Sequence, residues 1–173
     1  PVQSYQTNYT NGNIAVISNR IKLPKLGLVK FAKSRDVEGR ILNATIRRNP
    51  SGKYFVSVLC EVLSQEWPPT GYEVGIDVGL THFAVLSNGE PPIPNPKFYR
   101  TLENKLAKAQ RKQARRKKGS SNYHKARVAV ARIHERICQT RKDYLDKIST
   151  QIVKNHDIIA IEDLQVSNML KNG

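Results

Sequence analysis

From Asn11 to Leu63 the apolar residues come in short alternating runs, GNIAVIS, IKLPKLGLVKF, GRILNATIRR and KYFVSVLCEVL, separated by turn formers. Alternation of period two is the mark of strands with one buried face. In the third run Leu42, Ala44 and Ile46 share a face, and in the fourth Tyr54, Val56, Val58, Cys60 and Val62 do so. Asn49, Pro50, Ser51 and Gly52 between these runs supply turn chemistry, so the two form a hairpin. Residues 1–66 are therefore expected to make a small antiparallel β domain, part of a barrel or sandwich. WPPTG at 67–71, with two prolines and a glycine, reads as a linker.

The pattern changes after the linker. YEVGIDVG and HFAVLSNG are two strands joined so tightly around Leu80 and Thr81 that they must be antiparallel neighbours. From Thr101, Leu102, Leu106 and Ala109 follow helical spacing, and Gly119 to Asn122 interrupt it. A second helix is expected from about Tyr123 to Asn155, on the recurrence of Ala126, Val130, Ile133, Ile137, Tyr144, Ile148 and Ile152. At 1.5 Å per residue it would be about 50 Å long. DIIAIEDL, Asp157 to Leu164, is a continuous apolar run after a helix, the pattern of a buried parallel strand. Residues 72–173 thus read as α/β: a mixed sheet with a long helical hairpin inserted.

Charge makes that hairpin the most conspicuous surface. The 173 residues carry 29 Lys and Arg against 14 Asp and Glu, a net charge of +15. Between Lys97 and Lys142 there are 16 cations against Glu103 and Glu135. A solvated helix usually mixes signs, so contact with a phosphate backbone is the natural reading, with a merely solvated face as the alternative. The residues expected to bind nucleic acid are Lys108, Arg111, Lys112, Arg115, Arg116, Lys117, Lys118, Lys125 and Arg127, with Arg47, Arg48 and Lys53 at the hairpin tip. QARRKKGSSN has no interleaved aromatics, which suits phosphate tracking without base readout. No apolar run approaches the roughly 20 residues of a membrane span. Cys60 and Cys138 are far apart, and the first residues lack the pattern of a secretion signal, so a reducing, cytoplasmic setting is expected.

Two acids interrupt or end apolar strands: Asp77 in GIDVGL and Glu162 in IAIEDL. Buried carboxylates are costly without a cation or donor. If their strands lie side by side and parallel, both emerge at one sheet edge within reach of a shared divalent metal, Mg²⁺ or Mn²⁺. The alternative is that Asp77 caps a turn and Glu162 starts a loop. His82, His124, His134 and His156 are scattered without metal-ligand spacing. Ser167 and Asn168 suit a helix cap or substrate orientation.

VGIDVGLTHFAVLSNGE, a basic helical hairpin and then IIAIEDLQVSNMLKN resemble the RuvC-like nuclease domain of the OrfB/TnpB proteins of insertion sequences. LPKLGLVKF and RILNATIRRNPSGKYFVSVLCEV resemble the later part of that family's oligonucleotide-binding, or wedge, β domain. The resemblance implies an RNase H-like (RuvC) fold at 72–173, a wedge-like OB domain at 1–66, and a metal-dependent, RNA-guided DNA endonuclease associated with transposition. It also implies a guide RNA and target DNA as partners, and Asp77 and Glu162 as catalytic, metal-binding acids. Type V CRISPR nucleases are similar in this domain. The family pattern continues to a zinc ribbon with paired CxxC motifs, where Zn²⁺ belongs, and to a third catalytic Asp; neither precedes Gly173. Asp163 faces the opposite side of a strand from Glu162 and cannot replace that acid. This chain is therefore expected to be a truncated piece, catalytically incomplete alone. The competing readings are a non-catalytic nucleic-acid-binding transposon protein and another RNase H-like nuclease such as a junction resolvase.

Overall fold

Alternating residues in the first third of the chain pair into two small antiparallel sheets in a computed structural model that describes residues 3–63 and 66–163. β2 (Ala15–Ile17), β3 (Arg20–Leu23) and β4 (Gly27–Lys30) form a meander, in which the run IKLPKLGLVKF folds back on itself. Pro24, which has no N–H to give a ladder, begins that turn, and Lys25 and Gly27 take positive φ around it. β1 (Gln3–Asn8), β5 (Arg40–Arg48) and β6 (Tyr54–Glu61) make the second sheet with β5 central. Ile14, Ile21, Leu23 and Ala44 are buried together, and Val16, Phe31, Ile41, Ile46, Val56 and Val58 pack against them.

The β5–β6 hairpin forms as its alternation predicts, with Asn49 N–H donating to the Lys53 carbonyl at 2.9 Å. One detail corrects the expected face. The pairing shifts between Ile41 and Asn43, so Leu42 is the extra residue of a bulge and is 38% exposed, while Ile41 takes the inward position. Tyr54 and Val62 also leave the expected core face, at 67% and 60% exposure, because they stand at or beyond the strand ends.

The second sheet system starts after the linker. β7 (Glu73–Val78), β8 (His82–Leu86) and β9 (Ile93–Pro94) run antiparallel, and β10 (Ile158–Ile161) joins β7 in parallel, giving the order β10-β7-β8-β9. A parallel neighbour requires a long crossover. It is supplied by α1 (Phe98–Ala114) and α2 (Ser121–Asn155). α1 starts three residues earlier than the leucine spacing indicated. Ser120 caps α2, its Oγ accepting from Tyr123 N–H at 3.2 Å. The seven apolar positions read along α2 are all half-buried. Tyr144 fixes α2 to the sheet, with edge contacts to Phe83 and Phe98 at 5.6 and 5.4 Å between ring centroids and its hydroxyl donating to the Pro94 carbonyl.

β10 corrects the expectation of a buried strand. It is parallel, but all four of its residues are exposed, because it is an edge strand paired on one side only among the described residues. Ser167 and Asn168 lie outside the described residues. The chain divides into two compact units, one of residues 1–66 and 112–132, the other of residues 67–111 and 133–173. Among the described residues, several sheets and two helices make a mixed α/β architecture.

Two tests follow from these contacts. Gly39 has φ +79°, and a Cβ there would stand 2.1 Å from the Glu61 carbonyl oxygen. Gly39→Ala should cost at least about 1–3 kcal/mol, read as a lowered urea midpoint. Asp157 accepts from Thr70 N–H (2.9 Å), Thr70 Oγ1–H (3.0 Å) and Gly71 N–H (2.7 Å), tying the linker to the start of β10. The backbone donors, Thr70 first and then Gly71, hold its carboxyl below its ordinary value of 3.8. A depressed folded pKa gives stability that is complete above the unfolded value and lost as pH falls through the folded one. Wild type should therefore exceed Asp157→Asn in denaturant midpoint at pH 7, with the gap shrinking steadily below about pH 4.

Candidate nucleic-acid interface and acidic pair

The β10–β7 register aligns Ile158 with Glu73, Ile159 with Val74, Ala160 with Gly75 and Ile161 with Ile76. The next residue along each strand is Glu162 and Asp77 respectively. Adjacent strands lie about 5 Å apart, so continuing this register sets the two acids side by side on one face. Both are exposed. The preceding positions on that face are Gly75 and Ala160, which leave the approach low. Gly75 is held by Ser87, whose Oγ accepts its N–H at 2.8 Å while Ser87 N–H donates to its carbonyl at 2.9 Å. A Cβ on Gly75 would meet Ser87 Oγ at 3.4 Å, so a side chain there would press on the β7–β8 pairing.

Two exposed carboxylates offer hard oxygen donors of the kind Mg²⁺ and Mn²⁺ take. Among the described residues, no group of three or more His, Cys, Asp and Glu side chains converges as a metal site. The acid pair alone therefore fits the first contacts of an oxygen-loving dication and leaves most of its coordination to water or other groups.

The cations separate from these acids by unit. Residues 1–66 and 112–132 hold 18 Lys and Arg against 4 Asp and Glu, whereas 67–111 and 133–173 hold 11 against 10. Of the total +15, +14 belongs to the first unit. Lys112, Arg115, Arg116, Lys117, Lys118, Lys125 and Arg127 are exposed and sit in that unit with Arg47, Arg48 and Lys53; Lys108 and Arg111, also exposed, belong to the other. Arg132 brings the two cationic groups together, its Nε–H donating to the carbonyl of Ser51 in the β5–β6 turn at 3.4 Å. Nothing in the sequence signals a contact across 81 positions. At the same hairpin end Arg48 lies over the Tyr54 ring, 5.7 Å from its centroid. No helix among the described residues is long and apolar enough to cross a membrane.

Residues 55–173 match the OrfB_IS605 family, described as "Probable transposase". A Streptomyces pristinaespiralis protein named "Putative RNA-guided DNA endonuclease" is 49% identical over 129 residues, covering 75% of this chain and 32% of that protein. An Escherichia coli protein named "Putative RNA-guided DNA endonuclease InsQ" is 39% identical over 157 residues, covering 90% of this chain and 39% of its own length. The family match extends over more than half of the chain, so this protein belongs to the OrfB_IS605 family of transposon-associated proteins. It spans about a third to two-fifths of the length of these relatives.

Phosphate contacts release counterions, and the logarithm of affinity falls with the logarithm of salt by about 0.9 per contact on duplex DNA. Replacing Arg115, Arg116, Lys117 and Lys118 with Gln should weaken binding to any duplex sequence. Fluorescence anisotropy at several salt concentrations should show a correspondingly shallower slope, and an unchanged slope would remove these residues from the interface.

Proposed function

We propose that this chain is the nucleic-acid-binding part of an RNA-guided DNA endonuclease, with a wedge-like β domain for guide RNA and an RNase H-like (RuvC) sheet carrying the acids. The observation that carries the reading is the parallel β10–β7 register, which continues directly to Glu162 and Asp77. The names of the relatives support an RNA guide and a DNA target, and the charge of the first unit supports polyanion binding.

In this reading Asp77 and Glu162 would hold Mg²⁺ or Mn²⁺, which would supply charge stabilisation and water activation for phosphodiester cleavage. β7 and β10 keep the two carboxylates adjacent, and Gly75 with Ala160 leaves the face open to a substrate backbone. The cations of the first unit bind phosphates and orient the nucleic acid. Two carboxylates are too few to fix a metal pair and align a nucleophile, so the 173-residue chain binds nucleic acid but cleaves poorly.

Within a full-length family protein containing this segment, Asp77→Ala should lower metal-dependent DNA cleavage at least about 100-fold while guided DNA binding is retained. Cleavage assays and gel shifts on the same preparations separate the two effects. Robust metal-dependent cutting by the 173-residue chain that survives Glu162→Ala would place the active site elsewhere and overturn the assignment.

A further inference from the structure

The sequence of β10 does not specify its own register. Register is set firmly where a strand has one apolar and one polar face, because a one-residue slip then buries the wrong set. Ile158, Ile159, Ala160 and Ile161 are apolar in both phases, and all four are exposed. A slip along β7 therefore trades one isoleucine for another at little cost. β7 is held differently: its pairing with β8 aligns Ile76 with Leu86, Asp77 with Val85 and Val78 with Ala84, and Ser87 bonds both the N–H and the carbonyl of Gly75. Asp77 is thus placed by a hairpin, whereas Glu162 follows a strand whose residues would accept a neighbouring register.

The specifying contacts stand one residue before the ladder. Asp157 Oδ1 accepts from Thr70 N–H at 2.9 Å and from Thr70 Oγ1–H at 3.0 Å, and Oδ2 accepts from Gly71 N–H at 2.7 Å. Thr70 Oγ1 in turn accepts from Tyr72 N–H at 3.3 Å, and the Tyr72 carbonyl accepts from Asp157 N–H at 2.8 Å. Hydrogen bonds to a carboxylate are stronger than neutral ones, and these need an acceptor at this one position. Displaced by one residue, the strand would offer Thr70 and Gly71 either Ile158, whose side chain accepts nothing, or His156, whose Nδ1 is already bonded to the Ile152 carbonyl at 2.9 Å. A slip of one residue would turn Glu162 to the other face, and a slip of two would carry it about 6–7 Å along the sheet. Either parts it from Asp77.

We infer that Asp157 is a positioning residue for the acid pair: bonded to Thr70 and Gly71, it fixes the β10–β7 register and thereby sets Glu162 beside Asp77 to share a divalent cation. This inference rests on the reading of that pair as a metal site. It gives the pair a third carboxylate that acts from the opposite end of β10 without being a ligand.

NMR of the 173-residue chain, titrated with Mn²⁺, reads register and cation binding separately. Cross-strand NOEs report which β7 residue each β10 residue faces, and paramagnetic broadening reports where Mn²⁺ sits. In wild type the NOEs should place Ala160 beside Gly75 and Ile161 beside Ile76, and Mn²⁺ should broaden the amides around Asp77 and Glu162 together. Asp157→Ala should lose or shift those NOEs and weaken Mn²⁺ binding about tenfold. Asp157→Asn, which keeps Oδ1 for both Thr70 donors, should fall between. Circular dichroism checks that Asp157→Ala folds; if it does not, Asp157→Asn carries the comparison. Tyr144→Phe removes a hydrogen bond to the Pro94 carbonyl at the other side of the same sheet, and should leave both readouts at wild-type values. Wild-type NOEs or wild-type Mn²⁺ affinity in the Asp157 variant, or equal weakening by Tyr144→Phe, would overturn the positioning role alone. Absence of Mn²⁺ broadening at Asp77 and Glu162 in wild type would overturn the metal reading of the pair together with it.

Discussion

The parallel pairing of β10 with β7 is the constraint on which the second unit depends. It joins residues about 85 positions apart in the chain, across two helices, and so carries a larger loop-closure cost than any hairpin here. The pairing is short, and all four of its β10 residues are exposed. Its main local support is Asp157, which accepts three hydrogen bonds from Thr70 and Gly71, while Asp157 N–H donates to the Tyr72 carbonyl at 2.8 Å. The end of the linker and Tyr72 thus set the register before the ladder begins. A one-residue slip would turn Glu162 to the opposite face from Asp77, because strand side chains alternate. The hydrogen bonds of Asp157 therefore bear on the register of Glu162 against Asp77 as much as on stability.

Charge imposes a second constraint of a different kind. Concentrating +14 on one unit costs self-repulsion, which a solubility role would not require. Confining it there leaves the acid-bearing unit close to neutral, with a net charge of +1. The imbalance of the first unit suits contact with a polyanion, and the near-neutral second unit has no such excess. Arg132 shows that the fold assembles the first group deliberately in physical terms, because the helix cations and the β5–β6 turn are brought to one place by a side chain to carbonyl contact.

Much of this was legible in the sequence wherever local chemistry decided the outcome. The β5–β6 hairpin, the tight β7–β8 connection and the long second helix followed from alternation, turn residues and 3.6-residue spacing. β1 was not legible, since QSYQTN has no apolar alternation and becomes a strand only through pairing with β5. The bulge at Leu42 was equally hidden: Ile41 and Leu42 are adjacent apolar residues, and only the partner strand shows which of them is left over. β10 was read correctly as parallel and incorrectly as buried, because an apolar run reports what a strand can bury and not what lies beside it.

The candidate acids were legible because each stands where an apolar strand should continue. The exposed apolar residues of β6 were not legible for the opposite reason. Reading β5 and β6 for the core follows Ala44, Ile46, Val56 and Val58, and the intervening Thr45, Arg47, Phe55 and Ser57 then count only as the solvent side. Phe55 and Leu59, at 40% and 52% exposure, break this treatment. A phenyl ring in the polar phase of a well-alternated strand has no part in the core its neighbours build, and the structure confirms that it remains exposed.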